Sequence, residues 1–202
     1  MKSVTPVRKP ASKAGIIREA LTIAEESGWS AVTVRAIANR MQYQPPVLYQ
    51  FFKNKEALIQ EIAGSGFDRL SEKMMTAASE EDSPDAKLLA LALARFEFSL
   101  EEETLHNLMF STGCPVWQKK MIFSSMHRTR NLIVELVQEL SQRDDECTDL
   151  ITHFIALIKG YTFFATELSS DTAHHHFFGP YMPEEAFKKA MQHFINSIKR
   201  HE

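Results

Sequence analysis

Apolar and polar positions alternate with helical period around one stretch, Thr33 to Lys55, TVRAIANRMQYQPPVLYQFFKNK. Val34, Ile37, Ala38 and Met41 recur at three- and four-residue spacing and share one face. Gln42-Tyr43-Gln44 interrupts this pattern. Pro45 and Pro46 then supply the φ that a first helical turn needs, where their missing N–H groups cost nothing. Val47, Leu48, Phe51 and Phe52 resume the apolar spacing, and Leu48, Phe51 and Phe52 are assigned to a small core. A short helix, a turn of about three residues and a second short helix form the layout of a helix-turn-helix that reads DNA.

The same periodicity predicts helices on both sides. A first helix covers about Ala11–Ser27, with Ile16, Ile17, Ala20, Leu21 and Ala24 inward and Gly28 as its stop. Trp29 is expected to pack back on the three-helix core. A long helix from Lys55 to about Ser79 links head and body, and Gly64-Ser65-Gly66 is a candidate bend in it. The polar SEEDSPD at 79–85 is a loop. Further helices are predicted over Ala86–Glu102, Thr104–Ser111, Val116–Arg143, Cys147–Leu168 and Glu184–Arg200. Cys147–Leu168 is apolar around most of its circumference and should be covered on several sides. The fold class is therefore all-α. An N-terminal three-helix helix-turn-helix domain spans 10–70, with the motif at 33–52, and a larger C-terminal helical domain spans 71–202.

Charge sharpens this division. The chain has 202 residues and a net charge of −3. Residues 1–55 hold nine Lys/Arg against three acids, whereas the remainder holds 14 basic and 23 acidic residues. A basic head on an acidic body points to a polyanion at the head, and together with the helix-turn-helix it points to DNA. The N-terminal arm, residues 1–10, carries Lys2, Arg8 and Lys9 and is either a solvated tail or a contact to phosphates or a minor groove. No run of 18 apolar residues predicts a membrane span, and no apolar segment follows the basic N-terminus as in a secretory signal. Cys114 and Cys147 form neither a metal motif nor a disulfide framework, and a reducing cytoplasm fits best.

TVRAIANRM followed by PPVLYQFFKNKEAL resembles the N-terminal domain of the tetracycline-repressor-like (TetR) family, whose pattern runs T-x-x-x-I-A-x-x-x-G-V-S-x-x-x-L-Y-x-H-F-x-x-K-x-x-L. Thr33, Ile37, Ala38, Leu48, Tyr49, Phe52, Lys55 and Leu58 fall on it. Gln42, Tyr43 and Gln44 stand where the family has Gly-Val-Ser, and Phe51 stands for His. A non-glycine residue at the positive-φ turn position costs roughly 1 kcal/mol, and Gln44 is a poorer N-cap than serine. The resemblance implies a set of DNA-binding residues: Thr33, Arg35, Gln44, Pro45, Pro46, Val47, Tyr49, Gln50, Lys53 and Lys55. Gln44 to Val47, with Gln50, would face base edges, where glutamine suits adenine and valine a thymine methyl. Tyr49 and Lys53 suit phosphates, as does Lys55 at the start of the long helix.

The resemblance further implies a homodimer on a double-stranded, near-palindromic operator, with the last two long helices of each subunit forming the interface. The residues assigned to it are Ile151, Ile155, Ile158, Phe187, Met191, Phe194 and Ile198. It also implies a C-terminal pocket for an effector. Phe96, His106, Met109, Phe110, Trp117, Phe123, Met126, His127, Arg130, Phe154 and Tyr161 suit a small hydrophobic or aromatic molecule, with plain core packing as the competing reading of each. No cofactor is expected. His174-His175-His176 is read as a loop rather than a metal site, because adjacent imidazoles do not converge on one ion. No catalytic residues are assigned: H-E-x-x-H, G-x-S-x-G, P-loop and dinucleotide fingerprints are all missing from the sequence. Beside a ligand-responsive regulator, and most of all a repressor, two readings stay open. One is a dimeric DNA-binding module without ligand control; the other is an all-helical enzyme.

Overall fold

The computed structural model describes residues 11–110, 122–166 and 183–199, and the regular structure among these residues is helical throughout. The head comprises α1 (Lys13–Ser27), α2 (Val34–Arg40), α3 (Pro45–Tyr49) and the first half of α4 (Lys55–Ser79). The body adds α5 (Pro84–Glu101), α6 (Glu103–Phe110), α7 (Ile122–Ser141), α8 (Thr148–Thr166) and α9 (Pro183–Ile198).

Side-chain caps set four of the helix starts. Ser12, Thr33, Asn54 and Ser83 are extended, and each side-chain oxygen accepts the amide three residues on, at 3.1, 3.0, 2.8 and 3.4 Å. Each such cap contributes about 1 kcal/mol. At the other end of α1, Gly28 takes φ +77° and returns its amide to Ala24 O at 2.8 Å. The apolar faces then close a core of Ile16, Ala20 and Ile23 from α1, Ile37 and Ala38 from α2, and Leu48 from α3, with Phe52 and Leu58. Phe51, expected in that core, only packs half-buried against it.

In the body the surrounded helix is α5. Its run LLALALARFEF buries Leu88, Leu91, Ala92, Ala94, Phe96 and Phe98, and it packs against α4, α6, α7, α8 and α9. The interleaved alanines let neighbours approach on several sides. The expectation of all-round cover for α8 is therefore corrected. Within the chain α8 buries one stripe, Phe154, Ile158, Thr162 and Ala165, while Ile155, Phe163 and Phe164 stand 41%, 54% and 40% exposed. Two hydroxyl pairs satisfy the polar groups caught in this core: Ser71 with Thr129 at 2.8 Å, and Ser99 with Thr162 at 3.3 Å.

A second correction concerns the subunit interface assigned from the sequence. Ile158, Phe187, Met191 and Ile198 are buried inside the single chain. Phe187 stacks on Phe96 at 4.5 Å and meets Tyr161 at 5.6 Å. Phe194 lies 6.2 Å from Phe154, and Phe194 and Ile151 both pack against this core. The apolar stripe of α9 is thus used within the chain, and its outward face is polar: Glu184, Glu185, Lys188, Lys189, Gln192 and His193 are exposed. Of the assigned set, only Ile155 is exposed.

Head and body meet through α4 and α6. α4 runs unbroken through Gly64-Ser65-Gly66, so the glycines do not interrupt the helix. Gly66 instead permits close approach, since a Cβ there would lie 2.5 Å from Met109 Sδ and 3.1 Å from Leu105 Cδ1. Trp29 also reaches α6 rather than only the head core: its indole N–H donates to Thr104 O at 3.0 Å. Gly66→Ala should therefore cost about 1–2 kcal/mol through overpacking against buried Met109 and Leu105. Gly64→Ala, with nothing within 4 Å of its Cβ, should gain up to about 1 kcal/mol from helix propensity. Urea unfolding of both variants checks this, and equal gains would contradict the close approach.

Candidate functional site

The turn between α2 and α3 is closed by backbone bonds from Gln42 N to Asn39 O at 3.0 Å and from Tyr43 N to Ala38 O at 2.7 Å. Gln42 pays for this closure with φ +58°, in the left-handed region where glycine is at ease. For a glutamine that costs about 1 kcal/mol. Gln44 occupies the N-cap of α3 without a side-chain cap bond. With Pro45 and Pro46 at the helix start two amides are missing, so there is little for a cap to satisfy. The Gln44 side chain is exposed instead.

Leu48 and Phe52, 2% and 5% exposed, anchor α3 to the head core. Opposite them Pro46, Tyr49 and the C-cap residue Gln50 form one exposed stripe at i, i+3, i+4, and Lys53 is exposed in the bend before α4. Pro45 and Val47 lie half-buried at the edge of the stripe. Thr33, the α2 cap, and Arg35 are exposed one helix away. The basic residues of the head divide into two sets. Arg40 pairs with Glu26 and Glu19, joining α2 to α1, and Lys13 pairs with Glu61 at 3.1 Å. Arg35 and Lys53 have no carboxylate in ion-pair distance among the described residues. Lys55 Nζ donates to Trp29 O at 3.1 Å, so it secures the turn after α1 while its charge remains unpaired by acid.

The body holds a cavity of about 380 Å³ between α4, α5, α6, α7 and α8. Its walls are mostly apolar and include Met74, Phe110, Met126, Ile133, Phe154, Ile155 and Ile158. Among the described residues the charged or titratable groups on its wall are Arg95, His127, Arg130 and Lys159, with no carboxylate. The Arg95 guanidinium lies 4.4 Å from the centre of the Phe110 ring. Burial pulls Arg95 down to about 10, which leaves it charged at neutral pH. His106 lies 4.7 Å from the same ring, with Nδ1 buried and without a hydrogen-bond partner among the described residues. Burial, and then the charge of Arg95, push His106 down to about 4, so it is neutral near pH 7.

Residues 16–62 match the family described as bacterial regulatory proteins, tetR family. This match covers the head, which is therefore similar to the regulators of that family. The chain is similar to an HTH-type transcriptional regulator, YobS, of Bacillus subtilis, with 30% identity over 86 residues, 43% of this chain and 44% of that protein. It is also similar to the class C tetracycline repressor protein of Escherichia coli, with 36% identity over 69 residues, 34% of this chain and 28% of that one. The chain thus spans less than half the length of either relative. A TetR/AcrR-family regulator from Thermobifida fusca has the same fold over 93% of this chain and 98% of its own, with TM-score 0.69 and 19% identity.

The TetR match runs from α1 into α4, so every residue assigned to DNA from the sequence lies within it. Of the pocket residues, Phe110, Met126, His127, Arg130 and Phe154 line the cavity. Phe96, Met109 and Tyr161 belong to the surrounding packing, and His106 sits beside Phe110. Trp117, the Phe123 side chain, residues 1–10 and His174-His175-His176 lie outside the described residues. Sequence reasoning missed Arg95 and Lys159. Arg95 had a signal: a lone cation within ALALARF on the helix that the body surrounds. In this head, Lys53→Ala and Arg35→Ala should each lower the slope of log binding constant against log salt by about 1 for any duplex. Arg40→Ala, whose charge is engaged by Glu19 and Glu26, should leave that slope nearly unchanged. Fluorescence polarisation over a salt series reads both; equal loss in all three variants would misplace the surface.

Proposed function

We propose that the chain is a sequence-specific DNA-binding regulator of transcription that acts as a homodimer. A small hydrophobic ligand in the body cavity would release it from a near-palindromic operator, so that it serves as a repressor. The single observation that carries this reading is the exposed stripe of α3, Pro46, Tyr49 and Gln50, flanked by Lys53 and Arg35, which have no acidic partner among the described residues, in a TetR-type head. On this reading α3 enters the major groove. Gln44 and Gln50 read base edges, Pro45, Pro46 and Val47 make apolar contacts, and Tyr49, Lys53 and Lys55 hold phosphates. Thr33 and Arg35 sit where α2 crosses the backbone.

The second copy is placed on α8. Phe163 and Phe164, 54% and 40% exposed, are adjacent apolar side chains there, and a two-fold contact through them joins two bodies. Control by a ligand rests on physical continuity between cavity and head. Phe110, a wall of the cavity, meets Phe67 of α4 edge-on at 5.4 Å. The adjacent Met109 packs against Gly66, and α6 begins at the carbonyl that Trp29 holds. A molecule that shifts Phe110 acts on the helix carrying the head, which is the differential contact that a change of state requires. The match to a family of regulators speaks against the enzyme reading.

Selection of bound sites from random duplex DNA at two salt concentrations tests the proposal. One enriched palindrome is expected, with half-site centres about ten base pairs or slightly more apart. Phe163→Glu should bind that palindrome far more weakly and sediment as a folded monomer. Binding without any shared sequence would replace this reading with a DNA-binding module that has no operator.

A further inference from the structure

The cavity wall runs against the charge trend of the body. Residues 56–202 carry 23 acids against 14 Lys/Arg, yet the charged side chains that reach this cavity are Arg95, Arg130 and Lys159, each from a different helix, and none is an acid. Arg95 stands out among them. It is partly buried on α5, its face rests on Phe110, and among the described residues no carboxylate or carbonyl accepts from its guanidinium. An aromatic face compensates part of a cation's lost hydration, but it leaves the in-plane N–H donors without acceptors. A withdrawn charge of this kind is costly unless something pairs with it. The remainder of the wall is methionine, phenylalanine and isoleucine, which favour a hydrocarbon or ring body.

We infer that the ligand of this cavity is a hydrophobic carboxylate, with its carboxyl group paired to Arg95 and its apolar body against Phe110, Phe154 and Ile158. The inference rests on the proposed ligand control for its biological meaning, but not for its chemistry. A planar guanidinium presents two parallel N–H groups to a carboxylate, so the pair is directional as well as charged. Arg130 and Lys159 are exposed, and they add a cationic approach that favours an anion over a neutral molecule of the same shape. Both straight-chain and fused-ring acids carry this chemistry, and they are separated by experiment.

Calorimetric binding to the full-length protein is measured with dodecanoate, 2-naphthoate, dodecan-1-ol and dodecyltrimethylammonium, each below its aggregation concentration. At least one acid should bind ten-fold or more tightly than the alcohol, and the ammonium should bind most weakly. The tighter acid identifies the chain or ring class. Arg95→Met, of similar length and apolar, should erase the preference for acid over alcohol while retaining the alcohol. Arg95→Lys keeps charge and fold without the planar fork, and should keep only part of the preference. Equal binding of acid and alcohol overturns the inference, as does failure of both acids to bind or an unchanged preference in both Arg95 variants. Acid binding that leaves DNA affinity unaltered would instead uphold the inference and remove ligand control from the proposed function. Release from DNA by the alcohol but not by the acids would do the reverse.

Discussion

The close seat of α6 on α4 is the contact on which the remaining architecture depends. Gly66 has no side chain where Met109 and Leu105 press in, and one turn earlier on α6 the carbonyl of Thr104 receives the Trp29 indole. α4 alone would join head and body as a rod with a free end. With α6 seated, the head is held at a second point, and a shift of α6 reaches both. Lys55 strengthens that point by holding Trp29 O, so a basic residue at the start of α4 also orients the turn that carries the tryptophan. The contact comprises two side chains in one gap, the edge-on rings of Phe67 and Phe110, and one hydrogen bond. A packed interface of this kind has discrete arrangements rather than a continuous range, which suits a switch.

Much of this was legible in the sequence, and the reasons differ by region. The head was read closely because its determinants are local: the glycine stop at Gly28, prolines at the first turn of α3, and a positive-φ turn position at Gln42, where the TetR pattern has glycine. The roles of the body helices were less legible. α8 and α5 are both strongly apolar, and period alone does not say which one is surrounded. The alanines of LLALALA were the available signal, since small residues permit neighbours on several sides. α9 was assigned to a subunit interface by the resemblance, with which its apolar stripe agreed, yet Phe187 and Met191 find Phe96 and the core within the same chain. Patterning reveals that a face must be covered, not by what. Gly66 was noticed for the wrong reason, as a bend, because a glycine in a helix has the same spelling whether it relaxes the backbone or admits a neighbour.

Charge was informative twice, on different scales. Over the whole chain it separated a basic head from an acidic body, and in the head the structure then divided the cations into those bound by Glu19, Glu26 and Glu61 and those facing outward. Within the body it singled out a cavity whose wall, among the described residues, carries cations and no carboxylate. Neither feature is visible from net charge, which at −3 is nearly balanced. The placement of a few side chains decides the field that a ligand meets, and here it sets an anion-attracting hollow inside an acidic body.

The central claim is that the cavity and the DNA-reading head are mechanically joined through α6. Hydrogen exchange read by mass spectrometry, comparing Phe110→Ala with the unaltered protein, tests it without a ligand. Phe110 lines the cavity, and its ring meets Phe67 of α4, His106 of α6 and Arg95 of α5. The account predicts faster exchange not only in α5 to α8 but also in the first half of α4 and in residues 28–33 around Trp29. Change confined to the body, with the head as protected as before, would contradict it.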